Sequence, residues 1–249
     1  MFAIDFEAGM RLVYDELGGA IPQLMREMAI YFVQFRPVGP ASLYVRLISF
    51  LRSAGVDRRV LLSTLNYECA LDYAIAQSGL GIAYFADGSD GELPLWKLHG
   101  SCNMFSAGVQ AGAGISYGPG VTWEGGIRAL PTADAVVQHC LVETGLAPVM
   151  SLYMEGKPLN VSPSAIRQLH DLWSEFVRTA TRIYCIGVRP LPADTHIWEP
   201  LFHSNAHLLF VGDRAAFDIW SVGRRAPSQY LTSRFAAAFD SILGGLTGP

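Results

Sequence analysis

Two short segments carry the side chains best suited to chemistry: Ser63-Thr64-Leu65-Asn66-Tyr67-Glu68 and Trp96-Lys97-Leu98-His99-Gly100-Ser101. Each closes an apolar, strand-like run with a polar group. In an open α/β sheet, ligands bind beyond the carboxyl ends of the strands, so an amide at 66 and an imidazole at 99 point to one shared site. The imidazole titrates near neutrality and suits general-base work. Each residue also has a plain structural reading. Asn66 lies just before a helix, where Asn is a favoured N-cap, and His99 reads equally as a turn histidine with Gly100 as a backbone device.

Two later strand-like runs end at Gly187 and at Gly212-Asp213. Parallel strands bring their carboxyl ends to one edge of a sheet, so all four positions are expected to converge there. The two glycines also read as turn or packing residues. Asp194 and His196 flank a helix start and read first as a cap and a surface histidine. His139, His170, His203 and His207 have no metal-ligand spacing, and no metal is expected. Ser101 and Ser116 lack the strand-to-helix setting of a nucleophilic serine.

The elements that must position these residues follow from periodicity. Residues 6–54 read as helices, with breaks at Gly18-Gly19 and Pro37-Val38-Gly39-Pro40. The amphipathic stretches are Ile21 to Phe35 and Ala41 to Ala54, and no strand signal precedes residue 58. Strands are expected over Val60 to Leu65, Gly81 to Phe85, Leu93 to Leu98, Pro148 to Met154, Arg182 to Gly187 and His207 to Gly212. Helices are expected over Glu68 to Gln77, Ala133 to Leu141, Ser164 to Ala180 and Ser228 to Leu243. The segment 100–130 is a glycine-rich excursion. Strands alternating with helices predict an α/β fold: one mostly parallel sheet, helices on both faces, one domain over 1–249, and 1–55 as a helical lead-in.

Composition narrows the function classes. Of 249 residues, 51% are apolar and 16% charged, which suits a folded core rather than disorder. The net charge of −4 and the lack of a basic run argue against nucleic acid as a partner. The amino terminus has no basic segment leading into an apolar stretch, and no run approaches the roughly 20 apolar residues that span a bilayer. A cytoplasmic protein without a membrane partner is expected. Cys69, Cys102, Cys140 and Cys185 are single and widely spaced, as reduced thiols would be, and Cys69 and Cys185 sit in apolar runs as small core residues.

Taken together, Thr64-Leu65-Asn66-Tyr67-Glu68 is similar to the T-x-N-Y-D turn of sirtuin-like proteins, and Lys97-Leu98-His99-Gly100-Ser101 matches their K-L-H-G-S. Ile186-Gly187 would close a late strand. Over about residues 40 to 215 the chain resembles the bacterial sirtuin-like proteins associated with NAD hydrolysis and antiphage defence. The resemblance implies a Rossmann-like fold, NAD as substrate, Asn66 orienting a ribose hydroxyl or the attacking water, and His99 accepting a proton. Thr64, Gly100, Ser101, Gly187, Gly212 and Asp213 would contact the dinucleotide. A second copy of the chain or a defence-system protein would be the partner.

Departures from that family are equally plain. The family opens with a strand and a glycine-rich phosphate loop, whereas this sequence starts at the helices that follow them. The missing pieces would then lie upstream of Met1. Gly112-Ala113-Gly114-Ile115-Ser116 has the composition of such a loop, but it follows His99 and no strand leads into it. Glu68 replaces the usual Asp, and Val188-Arg189 replaces a polar pair. The zinc-ribbon cysteines of protein deacetylases are absent, which argues against lysine deacylation and leaves NAD cleavage or no catalysis at all. The alternatives are a degenerate, inactive nucleotide-binding module, or an interaction protein using segment 100–126 and exposed helices.

Overall fold

The computed structural model describes residues 21–37, 39–108, 122–143, 145–152 and 159–247, with isolated positions before residue 21. The Gly112 to Ser116 string lies outside the described residues. So do the other residues of 109–121 within the expected excursion.

Strand β3 (Glu92–Lys97) runs between β1 (Leu62–Thr64) and β2 (Gly81–Ala83), parallel to both. From Leu93 to Lys97 it is buried throughout. Its alternation sends Leu93 and Leu95 into one apolar cluster with Leu47, Ile48, Leu51 and Ile75, and Trp96 into another. That is the pattern of a strand covered on both faces. A second parallel sheet places β7 (His207–Val211) between β6 (Arg182–Ile186) and β8 (Ser228–Thr232). β4 (Met104–Ala107) and β5 (Gly126–Ala129) form an antiparallel pair. Parallel sheets alternating with helices make this an α/β protein.

The helices around the first sheet are α1 (Ile21–Phe32), α2 (Leu43–Ser53) and α3 (Ala70–Gln77). They are followed by α4 (Ala133–Val142) and α5 (Pro163–Thr179). The later ones are α6 (Thr195–His203), α7 (Arg214–Trp220) and α8 (Phe235–Thr247). In α5, Pro163 occupies the first turn, and Ile166, Leu169, Trp173 and Val177 form the buried stripe. The Trp173 indole N–H donates to Ser63 Oγ at 3.1 Å, which ties this helix to β1. Among the described residues no helix is long and apolar enough to cross a membrane.

Three expectations are corrected. Residues 228–243 are not one helix: Ser228–Thr232 pairs with β7 and the helix begins at Phe235. Tyr230, Leu231 and Thr232 favour a pleated strand, and β7 offers them an open ladder. Residues 148–152 are not a strand. Their peptide groups bond irregularly to the 99–104 segment, with Ser101 N–H to Val149 O (2.8 Å), Val149 N–H to Met104 O (2.7 Å) and Ser151 N–H to His99 O (2.9 Å). Met154 lies outside the described residues. The start and end of the 100–130 segment are strands rather than loop, because Met104 and Phe105 are buried in the core.

The end of β3 is anchored by a wholly buried ammonium. Lys97 Nζ lies 2.7 Å from Asp72 Oδ2 of α3, and donates to Ser101 Oγ (2.8 Å) and to the Glu68 carbonyl (3.2 Å). Burial is the strongest single influence and works against the charge, but the Asp72 carboxylate and the Cys69 and Cys102 sulfurs together outweigh it, so the ammonium's pKa is raised above the ordinary lysine value. Asp72 Oδ1 also accepts from Tyr84 OH (2.6 Å) and Asn103 Nδ2 (3.4 Å). Removing one partner of such a pair leaves a buried charge uncompensated. Lys97→Met is therefore expected to lower unfolding free energy by about 3–5 kcal/mol in urea denaturation. Adding Asp72→Asn should recover part of that loss. A change below about 1 kcal/mol would contradict the anchoring role.

Candidate active site

Thr64 pairs with Lys97, and the Leu98 N–H donates to Thr64 O at 3.1 Å. Leu65-Asn66 and Leu98-His99 therefore leave neighbouring parallel strands at the same, carboxyl end. Asn66 is exposed there. Its N–H donates to Thr64 Oγ1 and its Nδ2 to Glu68 Oε1, both at 3.1 Å. The N-cap reading of Asn66 is corrected: the Glu68 carboxylate takes the Ala70 N–H at the start of α3. Asn66 is thus held by a turn and a carboxylate with its side chain at the surface.

His99 sits inside, 3% exposed. Its Nε2 lies 3.2 Å from His196 Nε2 and 3.6 Å from Asp194 Oδ1. Both neighbours arrive with the turn that links the carboxyl end of β6 to α6. Asp194 holds the helix start through its carbonyl, which accepts from the Ile197 and Trp198 N–H groups. Its side chain makes no cap bond and is turned instead toward His99. His196 is half-buried, not a surface residue, and its ring stacks on His170 with centroids 4.2 Å apart. His170 Nε2 is 2.6 Å from the Leu98 carbonyl, which can only accept, so this nitrogen carries the proton. Burial pushes the His170 pKa below the ordinary histidine value, so the ring is neutral at pH 7.

The other expected site residues divide. Gly100 has φ +73°, and a Cβ there would collide with the Val149 carbonyl, so glycine is a packing requirement. Ser101 is corrected from ligand contact to support. It is fully enclosed, accepts from Lys97, and donates to Tyr67 O at 3.0 Å. Gly187 and Gly212 lie at the ends of adjacent strands, with Gly187 N–H donating to Val211 O (2.8 Å) and Gly212 N–H to Thr232 O (3.0 Å). Asp213 is an N-cap: its Oδ1 accepts from Ala215 N–H (2.9 Å) and Ala216 N–H (3.2 Å) at the start of α7.

Sequence reasoning missed the convergence of Asp194 and His196 on His99. The available signal was Asp194-Thr195-His196 just beyond a strand end. Its partner lies 97 positions away from His196, so no local spacing rule could join them. The donor atoms of His99, Asp194 and His196 all lie within 4.8 Å of one another, which is close enough to share one ion. Without an ion, the same trio is an imidazole base with a carboxylate and a second imidazole at its Nε2.

Asp213→Ala separates capping from ligand contact. The cap predicts a stability loss of about 1 kcal/mol by thermal or urea unfolding, with affinity for NAD unchanged. Weakened NAD binding at unchanged stability would give Asp213 back its ligand role.

A search against protein-family models and against curated proteins returns no match for this chain.

Proposed function

We propose that this chain is a sirtuin-like α/β domain, Rossmann-like in build, that binds NAD and hydrolyses its nicotinamide–ribose bond. The observation that supports this reading best is the meeting at His99. An imidazole at the end of β3 faces a carboxylate and a second imidazole from the turn after β6, and the exposed amide of Asn66 follows β1, the strand paired with β3. That is a base, a group to stabilise its protonated form, and a polar orienter at adjoining strand ends.

The chemistry asks for little more. As the C1′–N bond breaks, its electron pair returns to the pyridinium ring, and nicotinamide leaves neutral from an oxocarbenium-like ribose. Asn66 orients the water or a ribose hydroxyl. Attack of water at C1′ releases one proton, which the His99 ring accepts. Asp194, 3.6 Å from Nε2, stabilises the resulting imidazolium, and His196, half-buried, passes the proton to solvent. The open strand ends at Gly187 and Gly212 are where the sugar–phosphate part would run. Antiphage defence, with a second copy or a defence-system partner, belongs to the same reading.

A second reading, a sirtuin-like module that binds nucleotide without cleaving it, draws on the depth of His99, which is 3% exposed. Chromatographic assay of nicotinamide released from NAD separates the two. Catalysis predicts release that falls by about 100-fold or more in His99→Ala and Asp194→Asn, and in Asn66→Ala, with little change in KM. NAD binding with no release supports the second reading. Neither binding nor release sinks both, and full activity in His99→Ala removes histidine from the mechanism.

A further inference from the structure

We propose that His99, Asp194 and His196 also form a binding site for a divalent transition-metal ion of the zinc class. Zinc holds imidazole nitrogens and carboxylate oxygens at about 2.0–2.2 Å, so neighbouring ligand atoms in a tetrahedral shell lie roughly 3.3–3.6 Å apart. The two spans from His99 Nε2, 3.2 Å to His196 Nε2 and 3.6 Å to Asp194 Oδ1, bracket that range. A His–His hydrogen bond alone accounts for the first span. A shared ion accounts for both spans, and for all three donors falling within 4.8 Å of one another.

Ligand chemistry selects the ion. Two imidazoles with one carboxylate suit zinc, cobalt, nickel or iron, whereas calcium and magnesium take oxygen shells. Three protein ligands leave a fourth position for water, the arrangement of a reactive rather than a purely structural zinc. Entry is from the His196 side, since His99 and Asp194 are buried and His196 is only half so.

The surroundings hold the ligands in place. His196 is stacked on His170, and His170 is pinned to the carbonyl of Leu98, the residue before His99. One ligand's ring plane is thereby referenced to the backbone beside another ligand, the outer support that metal sites use. An ion here would occupy His99 Nε2, the atom from which the proton is handed to His196 in the glycohydrolase reading. Metal and proton relay then exclude one another, and zinc would act as a brake on turnover. The binding itself does not depend on that reading.

The test is direct metal binding to the full chain, stripped with a chelator and titrated with zinc against a chromophoric competitor. The site predicts one equivalent bound with a dissociation constant tighter than about 10 μM. Asp194→Asn, nearly the same shape as the native side chain, and His196→Ala should each weaken binding beyond the roughly 10–100-fold typical of outer-shell changes. Cys69→Ser should bind as the native chain does, which separates this site from the buried Cys69–Cys102 pair, whose sulfurs are 3.5 Å apart. Cobalt(II) in place of zinc should give visible ligand-field bands with no thiolate charge-transfer band. Zinc binding weaker than about 10 μM, unaltered binding in both ligand variants, or a thiolate band would each overturn the proposal.

Discussion

A lysine ammonium with no access to water holds the working end of this molecule together. Lys97 reaches from the last residue of β3 to Asp72 on α3, to the Glu68 carbonyl at the turn after β1, and to the hydroxyl of Ser101. A buried charge tolerates few arrangements, because each lost partner leaves desolvation uncompensated. The strand end, the β1 turn and the following helix are therefore fixed relative to one another. Asn66 stands two residues from the Glu68 carbonyl, and His99 two residues from both Lys97 and Ser101, so both positions are tied to this network. Gly100 adds a second constraint: its left-handed backbone lets the chain turn against the Val149 carbonyl where any side chain would collide.

From that base the site is completed by a distant part of the chain. The turn after β6 delivers Asp194 and His196 to His99, and His170 on α5 braces the second imidazole from behind. Four histidine or carboxylate side chains from three elements thus gather around one strand end. The two proposals made for this cluster, proton handling and metal binding, both rest on the same nitrogen of His99. The difference between them is occupancy, not geometry.

Much of the layout was legible beforehand because it rests on local rules. Buried apolar runs marked β1, β3, β6 and β7 within a residue or two, and the period of Ile166, Leu169, Trp173 and Val177 marked α5. β8 was hidden because the apolar period of the helix after it extends back over Ser228–Thr232, and only the neighbouring β7 decides in favour of a strand. At the site, strand-end logic anticipated that Asn66 and His99 leave neighbouring parallel strands at the same end. It did not reveal that the Ser101 hydroxyl is engaged by Lys97 and Tyr67, or that the Asp213 carboxylate caps α7. Asp194 stands at the helix start as expected of a cap, but it caps through its backbone carbonyl while its carboxylate lies against His99. Side-chain allegiance of this kind is a tertiary fact and leaves no mark in spacing.

That these strand ends form a single ligand site is best tested by NMR of the full chain, with the imidazole and side-chain amide signals followed as NAD is added. The account predicts that the His99, His196 and Asn66 side-chain signals move together along one saturation curve. Signals of these three that stay fixed while others saturate would contradict it.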